Sequence, residues 1–255
     1  MGRSFFCINQ KYILLFLILI LFFCISIKNI DGFDNVSIDN NVSIILTTTV
    51  FINKKIHTIA QQDMSERKEY YINSIKKWLE KTNLNVIVVE NSGYDYPELN
   101  EEKKKYNSRF EIISFKESDI EDAKYLEKYD DKGAHEFYAV DYAIKHSQII
   151  KESNFIFKIT GRYYIPEFEN FIMKHDLNKY IAARQNNNNR CEIVGSNINN
   201  ISMIFDRNPV DKNIWAEEIW KNRIERVPKD YVLILPVFKI ENIKTGSTNN
   251  VVNEL

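Results

Sequence analysis

The run Phe155-Ile156-Phe157-Lys158-Ile159 constrains this chain more than any other five residues. A strand that is apolar on both faces has to be covered on both, as a central strand in a sheet sandwiched between helices is. Lys158 interrupts the run, and a lysine buried there needs a partner. The strand closes on Thr160-Gly161-Arg162, and in open α/β sheets the C-terminal edge is where ligands bind. Lys158 and Arg162 together suit a diphosphate, the arginine through its bidentate fork. Taken alone, the triplet Thr-Gly-Arg also describes a turn glycine beside a surface arginine.

The residues before this strand predict a helix opening at Lys132-Gly133, with Asp130 and Asp131 suited to its positive N-terminus. At 100° per residue, Ala139, Val140, Ala143, Ile144 and Ser147 share a face for burial. Asp141 and Lys145 fall opposite, spaced as a solvent-side ion pair. Glu136 lies on the buried side, where a carboxylate makes a structural hydrogen bond or faces a cleft; a half-exposed first-turn glutamate is the plainer alternative.

The rest of the chain reads as strands alternating with helices. Residues 42–52 form a β-branched strand carrying Thr47, Thr48 and Thr49, a triplet that expresses β-propensity or, at the end of a first parallel strand, binds a nucleotide. A helix follows over 65–81, with Ser65 as N-cap and Tyr71, Ile75, Trp78 and Leu79 on its apolar face. A second buried strand over 84–90 ends in Glu90-Asn91-Ser92-Gly93. Glu90 there either accepts hydrogen bonds from a ribose or base, or merely precedes an Asn-Ser-Gly turn. Strands are expected at 110–115, 180–184 and 201–205, and 116–131 as a mobile loop or short helix. In a helix over 211–226, Ile214, Trp215, Glu218, Ile219 and Arg223 recur at helical spacing, which turns Glu218 inward. A last strand over 231–240 is broken by Pro236, and the chain frays after Gly246. The fold class is α/β: a Rossmann-like, mostly parallel sheet flanked by helices. Neither G-x-G-x-x-G, nor G-x-x-x-x-G-K-[ST], nor G-x-S-x-G occurs, which excludes the dinucleotide, P-loop and α/β-hydrolase signatures.

Residues 13–27 carry no charge and follow Arg3 and Lys11, so a transmembrane signal anchor is expected over 12–28. A cleaved signal peptide is the alternative, with Cys24 and Ser26 small enough for its −3 and −1 positions. The expected order is a cytosolic tail at 1–11, the anchor, a stem at 29–42, the α/β domain at 43–245 and a flexible tail at 246–255. That is a single-pass type II membrane protein with its domain in the lumen of the secretory pathway, ER or Golgi. Sequons at Asn35, Asn41 and Asn200 are compatible with that, as for a glycoprotein. A net charge of −1 gives no basic field for nucleic acid. Cys191 is alone in the body and the four histidines show no ligand spacing, so no metal site is assigned.

The order of these pieces resembles a GT-A-type nucleotide-sugar glycosyltransferase: a Thr-rich first strand, VVENSG, a K-G-x-x-E helix and K-I-T-G-R-Y. More narrowly, it is similar to small glycosyltransferase-like proteins with these two motifs, over residues 43–240. The resemblance implies a nucleotide-sugar donor and a glycan or glycoconjugate acceptor. It implies donor contacts from Thr47, Thr48, Glu90, Asn91, Ser92, Lys132, Lys158, Thr160 and Arg162. Candidate catalytic carboxylates are Glu218, taken first as base, then Glu136, Glu217 and Asp206. GT-A enzymes usually carry Asp-x-Asp for a divalent cation where KITGRY stands, and the chain has no Asp-x-Asp. Cofactor use is therefore open: Lys158 and Arg162 neutralise the diphosphate without metal, or Mn²⁺ or Mg²⁺ serves. A catalytically inactive GT-A-like module that binds glycans or partners is the alternative function.

Overall fold

Strand β1 (Val42–Thr48) is buried along its whole length. In chain order there follow α1 (Met64–Lys81), β2 (Asn85–Glu90), α2 (Asn100–Lys105), β3 (Phe110–Ser114), α3 (Lys132–His146) and β4 (Phe155–Thr160). Then come α4 (Phe168–Ile172), β5 (Ala182–Gln185), β6 (Ile193–Asn197), α5 (Ile201–Phe205), α6 (Ala216–Glu225), β7 (Val232–Leu235), β8 (Lys239–Lys244) and β9 (Val251–Glu254). The computed structural model describes residues 41–52, 63–128, 132–187, 189–207, 215–246, 248 and 250–255, all within the unit Asn40–Leu255. The apolar run at 13–27, the stem before Asn41 and residues 208–214 lie outside them. No helix among the described residues is long and apolar enough to cross a membrane.

Seven strands form one sheet in the order β3-β2-β1-β4-β6-β5-β7. The pairs β3–β2, β2–β1, β1–β4 and β5–β7 are parallel, and β6 runs antiparallel to both neighbours. Alternation along the strands feeds two cores. Ile44 and Leu46 of β1, Val86 and Val88 of β2, and Phe155, Phe157 and Ile159 of β4 pack with Ile75 and Trp78 of α1. Ile45, Ile87, Val89 and Ile156 pack on the other face with Ala139, Val140 and Ala143 of α3 and with Trp220 of α6. Each of the Val, Leu, Ile and Phe side chains contributes about 1.5–3 kcal/mol by leaving water.

Several elements differ from the expectation. Residues 201–205 form a short helix, not a strand: a five-residue apolar run carries no decisive period, and here Ile204 and Phe205 bury while the Arg223 guanidinium donates to Ile204 O at 2.9 Å. The strand beside β4 is instead β6, whose Gly195 faces Phe157; a Cβ there would stand 2.7 Å from that ring. The helix α1 is capped by Asp63, whose carboxylate accepts from Glu66 N, rather than by Ser65. Asp141 pairs with Lys145 at 2.7 Å as spaced, but Asp141 is buried, not solvent-side. The segment after β3 forms two 3-10 turns, Glu117–Asp119 and Glu121–Lys128. The end of the chain is not frayed: β9 pairs with β8, and Leu255 is buried with its N–H and C=O both bonded to Phe238 at 2.9 Å. Of the sequons, Asn41-Val42-Ser43 enters the central strand: Asn41 donates to Glu152 O and Ser43 is fully buried.

Candidate functional site

The strand order turns at β1, with β2 and β3 on one side and β4 on the other. At such a switch point the loops leaving the strands diverge and open a crevice beyond their C-terminal ends. A cavity of about 220 Å³ lies there, lined by Thr47, Thr48, Thr49, Thr160 and Arg162 from the two strand ends. Gly161 keeps those ends together. Its N–H donates to Thr47 O at 2.9 Å, and a Cβ on it would stand 2.5 Å from that same oxygen. Backbone cannot move aside as a side chain can, so this turn requires glycine for its close approach rather than for an unusual φ.

Lys158 has the parity of Ile156 and so points beneath α3 and α6. Its ammonium is wholly buried, 2.7 Å from Glu136 Oε1, and stands 4.9 Å from the Trp220 ring centroid. It also donates to Cys191 O at 2.8 Å and to Thr160 Oγ1 at 3.3 Å. Thr47 donates to the same Glu136 oxygen at 2.6 Å. Burial opposes ionisation of Glu136, and the adjacent ammonium outweighs it, holding the carboxyl below the usual carboxylate range. Burial likewise opposes charge on Lys158, and Glu136 carries the balance upward. The lysine is thus the partner of a cleft carboxylate, set behind the cavity wall, and does not line the cavity in which the sequence expectation put it beside a diphosphate.

The cationic wall is built by arginines. Arg67 and Tyr71, one helical turn apart on α1, both reach the cavity. Arg67 donates through Nε and Nη2 to Thr49 O, at 3.1 and 2.6 Å, and through Nη2 to Tyr71 OH at 2.9 Å. Arg162 comes from the opposite side and donates to Lys244 O at 3.3 Å. The two guanidinium carbons stand 5.7 and 5.8 Å from the centroid of the one Tyr71 ring, within cation–π range. Lys132, at the start of α3, adds a third cation, and Arg190 a fourth, tied to Glu192 by three contacts.

A second cavity of about 430 Å³ adjoins the first, sharing Thr49, Asn91 and Lys132 with it. Phe51, Ile52, Ala123 and Leu126 give it an apolar side. Its polar side is a chain of hydrogen bonds. Thr49 donates to Asn91 Oδ1 at 2.6 Å, Asn91 Nδ2 to Glu117 Oε1 at 2.5 Å, and Glu117 Oε2 meets His135 Nδ1 at 2.5 Å. The segment after β3 is thereby pinned to the first turn of α3.

Of the residues singled out in the sequence, Thr47, Thr48, Asn91, Lys132, Glu136, Thr160, Arg162 and Glu217 line the first cavity, and Ser92 the second. Glu90 is fully buried and lines neither. Its carboxylate accepts from Val50 N (2.8 Å), Ser92 N (2.9 Å), Ser92 Oγ (2.5 Å) and Tyr94 N (2.8 Å), which fastens the turn after β2 to the turn after β1. Burial pushes its carboxyl upward against those donors. Glu218 is exposed and turned away. The helix α6 begins at Ala216 with Trp215 as N-cap, and its buried face is Ala216, Ile219, Trp220 and Ile224; that face brings Glu217, not Glu218, to the cavity. Asp206, a bare alternative in the sequence, is exposed. Arg67, Tyr71, Arg190 and Glu192 were missed. Arg67 had a legible signal, because it stands four residues before Tyr71 on the helix face that carries Ile75 and Trp78.

A divalent cation would need acidic ligands beyond β4. The positions there are Thr160, Gly161 and Arg162, and among the described residues no three Asp, Glu, His or Cys side chains are placed so that they could hold a metal ion. This donor set does not fit a protein-held divalent cation.

No protein-family model and no curated protein sequence matches the chain. Among solved structures it is similar to a candidate nucleotide-diphospho-sugar transferase from Desulfovibrio desulfuricans G20, at 12% identity and a TM-score of 0.43, over 77% of this chain and 80% of that one. It is also similar to galactosyltransferase LgtC in complex with donor and acceptor sugar analogs, at 9% identity and a TM-score of 0.42, over 75% and 72% of the two chains. A likeness this distant carries no residue-level or functional inference.

Proposed function

We propose that this protein transfers a glycosyl group from a nucleoside-diphosphate sugar to a hydroxyl of a glycan or glycoconjugate. The observation that carries the reading is the pair of guanidinium groups on Tyr71, at the switch-point crevice of a β3-β2-β1-β4 sheet. Arg67 and Arg162, with Lys132, bind the diphosphate and stabilise the charge that grows on it as the glycosyl bond breaks. The adjoining cavity, with Asn91, Ser92 and Phe51 on its walls, takes the nucleoside. Glu136 faces the sugar and stays ionised on its lysine.

In this reading the arginines do the electrostatic work that a bound cation does elsewhere. Release of nucleoside diphosphate from UDP- and GDP-sugars is expected to persist in excess EDTA. Complete loss in EDTA, restored by Mn²⁺, contradicts the proposal. A catalytically silent module binding the same donor is the second reading, favoured by the missing Asp-x-Asp; binding without turnover of any UDP- or GDP-sugar would establish it. The apolar run at 13–27 is proposed as a signal anchor that puts the domain on the lumenal side of the secretory pathway. Carbonate extraction of membranes tests the anchor, and release of the full-length chain into the soluble fraction would refute it.

A further inference from the structure

Three carboxylates reach the first cavity: Glu136, Glu192 and Glu217. Two are already engaged. Glu136 is held by Lys158 and Thr47, and a carboxyl kept below its usual range is a weak proton acceptor. Glu192 receives three contacts from Arg190. Glu217 differs from both: it is half-buried in the first turn of α6, and among the described residues it makes no hydrogen bond or ion pair. Its surroundings in the cavity include Cys191 and Glu192 from the turn before β6, and Lys132 and Glu136 from α3. A carboxylate held at a cleft wall with its lone pairs unused is available to a substrate hydroxyl.

We infer that Glu217 is the base that activates the acceptor, an assignment that rests on the glycosyl-transfer reading. In a single displacement, the acceptor hydroxyl gives its proton to the Glu217 carboxylate as its oxygen forms the new bond to the anomeric carbon. The bond from that carbon to the phosphate oxygen breaks, and its electron pair leaves with the nucleoside diphosphate on Arg67 and Arg162. The configuration at the anomeric carbon inverts.

The test uses the full-length protein and its Glu217→Gln and Glu218→Gln variants, with UDP- and GDP-sugars as donors and methyl glycosides or water as acceptors. Nucleotide binding is read separately as thermal stabilisation by UDP and GDP. Glu217→Gln is expected to keep the thermal shift and lose about 10²–10⁴-fold in kcat, a general base's usual share. Glu218→Gln should behave as wild type. Turnover of Glu217→Gln within about threefold of wild type overturns the base assignment and leaves donor binding intact. Nucleotide binding without any sugar release overturns it too, because a base at that position also serves water. Absence of a shift with either nucleotide in the wild type removes the donor reading itself.

Discussion

Replacing Lys158 with Met is expected to destabilise the folded protein by about 3–5 kcal/mol, the usual result of removing one partner from a buried ion pair. For a domain of this size that lowers the melting temperature by on the order of 10 °C. The cause is Glu136, left with the Thr47 hydroxyl as its donor and without its ion-pair partner. The double variant Lys158→Met/Glu136→Gln should recover most of the loss, since a buried pair as a whole contributes little beyond what a well-packed neutral pair provides. A non-additive cycle of this kind, read by urea unfolding, identifies the pair as one unit; equal losses from single and double variants would show that Lys158 acts through packing alone.

The same pair predicts a pH window. The folded carboxyl of Glu136 is lowered, so its contribution is present above the unfolded value near 4.3 and is lost as pH falls through the folded one. The folded ammonium of Lys158 is raised, so its contribution is present below the unfolded value near 10.4 and is lost as pH rises through the folded one. The stability difference between wild type and the double variant should therefore be flat from about pH 5 to 10 and change on either side.

The second large effect concerns binding. Arg67→Ala and Arg162→Ala are each expected to weaken UDP or GDP by about 10–150-fold, the equivalent of about 1.5–3 kcal/mol for a charge-assisted contact to a diphosphate. Uridine and guanosine, which lack the diphosphate, should lose little affinity in either variant. Titration calorimetry at two salt concentrations checks both statements. Losses of the same size for nucleoside and nucleotide would mean that the arginines shape the site rather than hold the diphosphate.

Much of the fold was legible because its periods are strong. The strands at 42–48, 85–90 and 155–160 are apolar on both faces, and Tyr71, Ile75 and Trp78 mark one helix face without ambiguity. The oddity of Lys158 in such a strand was equally plain. Its direction was not: which face a side chain takes, and what waits there, depends on how α3 packs across the sheet, and that contact joins residues far apart in sequence. The cleft carboxylate of α6 moved from Glu218 to Glu217 because Trp215, counted in the apolar face, is the exposed N-cap, and the face that buries is Ala216, Ile219, Trp220 and Ile224. Strand β6 escaped notice since it carries Gly195 and two polar residues, and its pairing with β4 and β5 makes it a strand. Glu90 was visible as an acidic residue after a strand, but whether its oxygens face ligand or backbone is decided by the turn that folds back onto them.

The measurement that bears most directly on the whole account is the melting temperature of the purified protein with UDP, GDP or CMP, each in EDTA and in Mn²⁺. A nucleoside diphosphate held in the switch-point crevice by Arg67 and Arg162, at a concentration well above its dissociation constant, should stabilise by about 2–4 kcal/mol. The account predicts a clear upward shift with UDP or GDP, undiminished in EDTA and larger than any shift with CMP. A well-folded sample whose melting temperature moves with none of the three contradicts it.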